Sequence, residues 1–246
     1  MGDVISRDVV YWHETTRMLG RLCLPAAART GAAVLLLPDA HGVTAHAVGT
    51  ARRLAGLGRP VLVADLWGER LLPTDEAEFG PLIGAMAGDR ARWLGRVRAA
   101  HRALAAAPEA GTADVVALGY CFGGSSALEY TRSGAEVAGV ISVHGGLDLV
   151  GSDWSAAGSA PVLVCTGADD PMATADMRAR LASGLSGAGV DWQTHVYGGT
   201  VHAFTRPSAK SSPRPGVVAY SARGTARAWD AALRFLHEID APRQDT

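Results

Sequence analysis

The stretch Val115-Val-Ala-Leu-Gly-Tyr-Cys121-Phe-Gly-Gly-Ser-Ser-Ala-Leu-Glu129 decides how the rest of the chain is read. Its opening apolar run, residues 115–118, predicts a buried strand. Gly119-Tyr-Cys-Phe-Gly123 follows as a sharp turn, and residues 125–130 read as the start of a helix. Strand, turn and helix in that order form the elbow that presents a nucleophile in G-x-S-x-G chains, here with cysteine where serine is usual. The glycines let the backbone fold back tightly and leave no Cβ where helix and strand approach the strained residue between them. Cys121 also falls at a helix N-terminus, whose partial positive charge favours thiolate over thiol. A small buried cysteine beside a glycine-rich turn would read the same way, so partners elsewhere in the chain decide.

Two later loops supply those partners in the order such an elbow requires: nucleophile, acid, histidine. Gly167-Ala-Asp-Asp170-Pro171 follows a predicted strand, with Asp170 the candidate acid and Asp169 the alternative. Gly198-Gly-Thr-Val-His202-Ala-Phe204 follows the next strand, and its glycine pair lets the chain turn back over the sheet edge. A histidine that takes a thiol proton while a carboxylate fixes its tautomer is the machinery of covalent acyl transfer. The predicted triad is Cys121, Asp170 and His202. The oxyanion would be held by the N–H of Phe122 and a second N–H from the loop after the third strand, assigned to Ala40.

Outside these loops, strands alternate with helices along nearly the whole length. Residues 4–11 and 18–24 predict an N-terminal hairpin at a sheet edge, and residues 32–37, 60–65, 137–143, 160–167 and 190–197 further strands. Helices are expected over residues 45–57, 74–107, 173–185 and 219–238. The charge run Asp89, Arg90, Arg92, Arg96 and Arg98 reads as a solvated helix face. With no repeats, low-complexity tracts or linkers, residues 1–246 are expected to form a single α/β domain. Its sheet would be doubly wound and mostly parallel, with the N-terminal antiparallel hairpin at one edge.

The 246 residues, 48% of them hydrophobic, can bury a sizeable core, and a formal net charge of −1 argues against a nucleic acid or an anionic membrane as partner. Three cysteines without a C-x-x-C pair describe neither a disulfide framework nor a zinc site and fit a reducing compartment. The first residues lack the pattern of a signal peptide, so the expected location is cytoplasmic. Asp39, His41 and His46 lie close in sequence, but a third ligand of the kind a metal needs is not evident, and neither metal nor cofactor is expected. His41 and His144 follow strand ends where ligand-binding loops collect, and His144 is assigned to the substrate site. Trp67 is a candidate pocket wall, with packing in the core as the other reading.

The chain resembles the dienelactone hydrolase family, the carboxymethylenebutenolidase-like α/β-hydrolases. The resemblance rests on Gly119-Tyr-Cys-Phe-Gly-Gly124, Gly167-Ala-Asp-Asp170 and Gly198-Gly-Thr-Val-His-Ala-Phe204, with Asp65-Leu-Trp-Gly68 in support, and covers nearly all the chain. It implies an α/β-hydrolase fold and hydrolysis of a small ester or lactone, acting as monomer or homodimer on a small-molecule substrate. It further implies that an acidic residue after the third strand touches the resting cysteine and helps generate thiolate. Asp39 occupies that position, where the best-known members carry glutamate. An arginine shortly after the histidine binds a substrate carboxylate in those members; Arg206 matches it, and Arg70 is the candidate for a second. A tailoring protein on the same fold, such as a cyclase or isomerase, is the alternative, followed by a redox or binding protein using only the thiol.

Overall fold

A computed structural model describes residues 3–111 and 114–241; the two ends of the expected 1–246 domain and residues 112–113 lie outside the described residues. Eight strands form one sheet: β1 (Val4–His13), β2 (Thr16–Pro25), β3 (Ala33–Leu37), β4 (Val61–Val63), β5 (Val115–Tyr120), β6 (Gly139–Val143), β7 (Val162–Gly167) and β8 (Trp192–Tyr197). Their spatial order is β1-β2-β4-β3-β5-β6-β7-β8. The hairpin β1–β2 joins β4 antiparallel, and every pairing from β4 to β8 is parallel. This is the α/β-hydrolase fold.

The burial of each strand explains the arrangement. β3, β6 and β7 are buried at every position, and β5 at all but its last, as strands covered on both faces must be. Helices α1 (Ala45–Ala55) and α6 (Ala222–Asp240) close one face. Helices α3 (Arg90–Ala105), α4 (Phe122–Arg132) and α5 (Ala175–Gly187) close the other. After β3 the chain moves to β4 on one side and then crosses back to β5 on the other. The loops at the carboxyl ends of β3 and β5 therefore diverge, and a crevice opens between them.

Three local expectations are corrected. β4 is shorter than residues 60–65, because the buried Asp65 leaves the ladder. Its carboxylate accepts backbone N–H bonds from Leu19, Trp67, Gly68 and Arg70. The helix expected over residues 74–107 divides at Asp89 into α2 (Glu76–Gly88) and α3, since Asp89 leaves helical geometry and accepts the Arg92 N–H as the cap of α3. Nor is the arginine run uniformly solvated. Arg96 donates to the carbonyls of Leu66 and Trp67 at 2.8 and 2.7 Å, and Arg90 pairs with the fully buried Glu129. Among the described residues no helix is long and apolar enough to cross a membrane.

Where α4 leaves β5, a Cβ added to Gly119 would stand 1.9 Å from the Gly123 carbonyl oxygen, and one added to Gly123 would stand 2.0 Å from that of Leu37. Gly123→Ala is thus expected to cost more than about 3 kcal/mol. Gly49→Ala, in α1 with open space around the new methyl, should instead gain about 0.5–1 kcal/mol. Thermal melts followed by circular dichroism check this, each kcal/mol moving Tm by about 2–4 °C in a chain of this size. Equal melting temperatures for the two variants would remove the proposed crowding.

Candidate active site

The crowded junction holds Cys121 at φ 53° and ψ −119°, outside the regions an L-residue ordinarily occupies. Its N–H is shared between the Val143 carbonyl at 3.0 Å and His144 Nδ1 at 3.1 Å. Its carbonyl accepts the Ser125 N–H of α4. With the backbone fixed from both sides, the half-exposed thiol projects from the helix N-terminus toward the loop after β8.

That loop brings in His202, whose Nε2 lies 3.1 Å from Cys121 Sγ while Nδ1 lies 2.9 Å from Asp170 Oδ2. Asp170 is almost fully buried and also accepts the Met172 N–H, which orients its carboxylate; Asp169 is exposed and stands outside the contact. The backbone of His202 is strapped to the segment before α6. Its N–H donates to the Val217 carbonyl, and its own carbonyl accepts the Ala219 N–H. Burial alone would lower the His202 pKa, but the Cys121 charge and the Asp170 hydrogen bond outweigh it and raise the value to about 10. The arrangement favours a proton held on His202 between Cys121 and Asp170.

The two expected oxyanion donors share one support. Neither the Ala40 nor the Phe122 N–H has an acceptor among the described residues. Trp67 donates from Nε1 to the Ala40 carbonyl at 3.0 Å and stacks on Phe122 at 5.0 Å, with Trp93 on the other side of Phe122 at 5.1 Å. Trp67 is 6% exposed. It packs in the core and braces the peptide after Ala40.

The remaining sequence candidates divide. Asp39 does not bond Cys121. One carboxylate oxygen accepts the His41 N–H and the other pairs with Arg206 at 3.2 Å. Burial pushes the Asp39 pKa up, and Arg206 opposes the rise. Arg206 is therefore at the site but already engaged, its Nε donating to Ser208 Oγ. Arg70 is not brought there: its guanidinium reaches the hairpin, bonding Asp8 and the carbonyls of Leu19 and Gly20. His144 is 2% exposed with both ring nitrogens occupied, Nε2 lying 2.7 Å from Thr205 Oγ1, so it offers a substrate nothing to bind. Sequence reasoning missed Thr205 and the Val217–Ala219 strap. The β-branched pair Val217-Val218 was the one available signal for the latter.

A model of the dienelactone hydrolase family matches residues 18–240. A solved structure described as a dienelactone hydrolase-like promiscuous phosphotriesterase from metagenomic libraries shares 35% identity. Its TM-score is 0.90, and the match covers 98% of this chain and 100% of that one. Another, named m3DLH, shares 34% identity with a TM-score of 0.92 over the same 98% and 100%. A dienelactone hydrolase from Anabaena variabilis, at 22% identity and TM-score 0.68 over 95% and 98%, shares the fold. No curated protein sequence matches the chain.

The upward shift of the His202 pKa gives a direct test. Iodoacetamide should alkylate Cys121 quickly even near about pH 6, where an ordinary thiol is protonated. In His202→Ala the rate at that pH should fall about tenfold or more and climb with pH as for a free thiol. A profile unchanged by the substitution would separate the histidine from the thiol.

Proposed function

The chain belongs to the dienelactone hydrolase family, and on that premise we propose that it cleaves a small ester or lactone through a thioester on Cys121. The carrying observation is the chain of contacts Cys121 Sγ, His202 Nε2, His202 Nδ1 and Asp170 Oδ2, at 3.1 and 2.9 Å. The Cys121 thiolate attacks the carbonyl carbon, and the electron pair moves to the oxygen, where the N–H groups of Ala40 and Phe122 receive it. Each donor of this kind lowers the barrier by about 3–4 kcal/mol. Collapse expels the alcohol or enol oxygen, which takes its proton from His202. Neutral His202 then deprotonates a water that attacks the thioester, and the second collapse returns thiolate and imidazolium. Asp170 stabilises the cation and fixes the tautomer throughout.

The substrate side of the proposal rests on Arg206. Its Nη1 is paired with Asp39 and its Nε with Ser208, while Nη2 bonds no group among the described residues and is the donor a substrate carboxylate would take. The expected partner is a small molecule, with neither nucleic acid nor membrane involved. The expected setting is the cytoplasm, where Cys23, Cys121 and Cys165, all free thiols, stay reduced. Burial raises the pKa of Cys23 and lifts that of Cys165 to about 11, which leaves Cys121 as the reactive one.

A panel of aryl esters, lactones and dienelactones tests the reaction, with an aryl phosphotriester added as the class named for the 35% identical structure. Mass spectrometry of quenched turnover should find the acyl group on Cys121, and Cys121→Ala should lose roughly 10³-fold or more in kcat. Full turnover by that variant on every accepted ester would end the covalent mechanism. Bond rearrangement without hydrolysis would favour a cyclase or isomerase. Arg206→Ala should raise KM for acidic esters more than for neutral ones, and Asp39→Asn should lower it for acidic esters. Equal effects on both kinds of substrate would remove the carboxylate role.

A further inference from the structure

His144 is the residue whose surroundings exceed the role first given to it. It directly follows β6 with φ 40°, a positive value uncommon outside glycine, and it is 2% exposed. A backbone N–H can only donate, so Cys121 N–H requires Nδ1 of His144 to be an unprotonated acceptor. The proton of the neutral ring then sits on Nε2 and is donated to Thr205 Oγ1 at 2.7 Å. Thr205 belongs to the same loop as His202, three residues further on. One imidazole thus spans the two segments that carry Cys121 and His202.

We propose that His144 is a positioning residue, a neutral imidazole bridge that ties the elbow to the histidine loop and so sets the contact between Cys121 Sγ and His202 Nε2. The inference rests on the thiol–histidine reading of the site and adds to it a residue that touches neither substrate nor reacting atom. The bridge works only while the ring is neutral, because a proton on Nδ1 would remove its share of the Cys121 N–H and leave the Val143 carbonyl as the one acceptor. The titratable groups facing it are His202, whose ring centroid lies 5.4 Å away, Tyr120 at 5.9 Å and His46 on α1. Burial, and then the His202 and His46 charges, hold the His144 pKa well below the ordinary histidine value. The bridge consequently stays neutral while His202 is cationic. Phe204 packs edge-on against the same ring at 5.1 Å and keeps it from swinging out of line.

Three variants test the bridge. His144→Leu removes both bonds; Thr205→Val removes one hydroxyl and leaves the elbow bond intact. His144→Asn keeps an acceptor for the Cys121 N–H and tolerates positive φ. On an aryl ester, His144→Leu should lower kcat by about 30-fold or more with KM within about threefold, since a misplaced pair costs rate rather than binding. Thr205→Val should lower kcat by roughly fivefold, and His144→Asn should recover much of the loss. The rate of Cys121 alkylation near about pH 6 should fall in the same order, a readout that plain destabilisation does not reproduce. Alkylation profiles of Thr205→Val and His144→Leu matching the wild type would overturn the proposal. So would a loss in His144→Leu that His144→Asn fails to relieve. If the wild-type chain cleaves no ester yet its alkylation profile responds to these variants, the hydrolytic reading fails and the bridge stands.

Discussion

The backbone at Cys121 is the constraint on which the rest of the site depends. It is bent because β5 and α4 approach to a distance that admits no side chain at Gly119 or Gly123. A residue held at φ 53° and ψ −119° persists only where its surroundings over-determine it. Here they do, through the shared N–H bond to Val143 and His144 and the carbonyl bond from Ser125. The strain has a chemical product. It aims a thiol out of the sheet at a helix N-terminus, where the amide groups favour negative charge.

Two supports extend from that bend. Beneath it, Trp67, Phe122 and Trp93 form a stack whose planes lie within 18° of parallel. Trp67 reaches the Ala40 carbonyl and Phe122 begins α4, so one column braces the residues whose N–H groups are proposed to receive the oxyanion. Beside it, the Val217–Ala219 segment grips His202 by both backbone groups. A loop histidine would otherwise sample many rotamers; strapped and bonded to buried Asp170, it has one. Preorganisation of this sort removes reorganisation from the moment of reaction.

Most of this frame was legible in the sequence, because it is written locally. The elbow is a five-residue pattern, the acid and histidine loops sit directly after strands, and the burial of the central strands β3 and β5–β7 follows from their apolar runs. What escaped was pairing between side chains distant in sequence. Arg70 and Arg206 are both loop arginines on paper, yet Asp8 draws one to the hairpin and Asp39 holds the other in the cleft. Trp67 could not be told from a pocket wall until its N–H was seen on Ala40. The helix expected across residues 74–107 carried its breaking point in plain view at Asp89, but an aspartate within an apolar-periodic run reads equally as an exposed position.

The Asp39–Arg206 pair decides what the cleft offers a substrate. Were Asp39 absent, Arg206 would present an unpaired cation, and an anionic ester would be drawn by charge alone. With Asp39 bonded to Nη1 at 3.2 Å, the cation is offset locally, and a carboxylate arriving at Nη2 meets the Asp39 charge beside it. The electrostatic gain of that approach is reduced accordingly. The pair also withholds Asp39 from Cys121, leaving His202 as the hydrogen-bond partner of the thiol. The proposed nucleophile is therefore held by the histidine alone, and in the proposed reaction a neutral carbonyl compound reaches it with the Asp39–Arg206 pair intact.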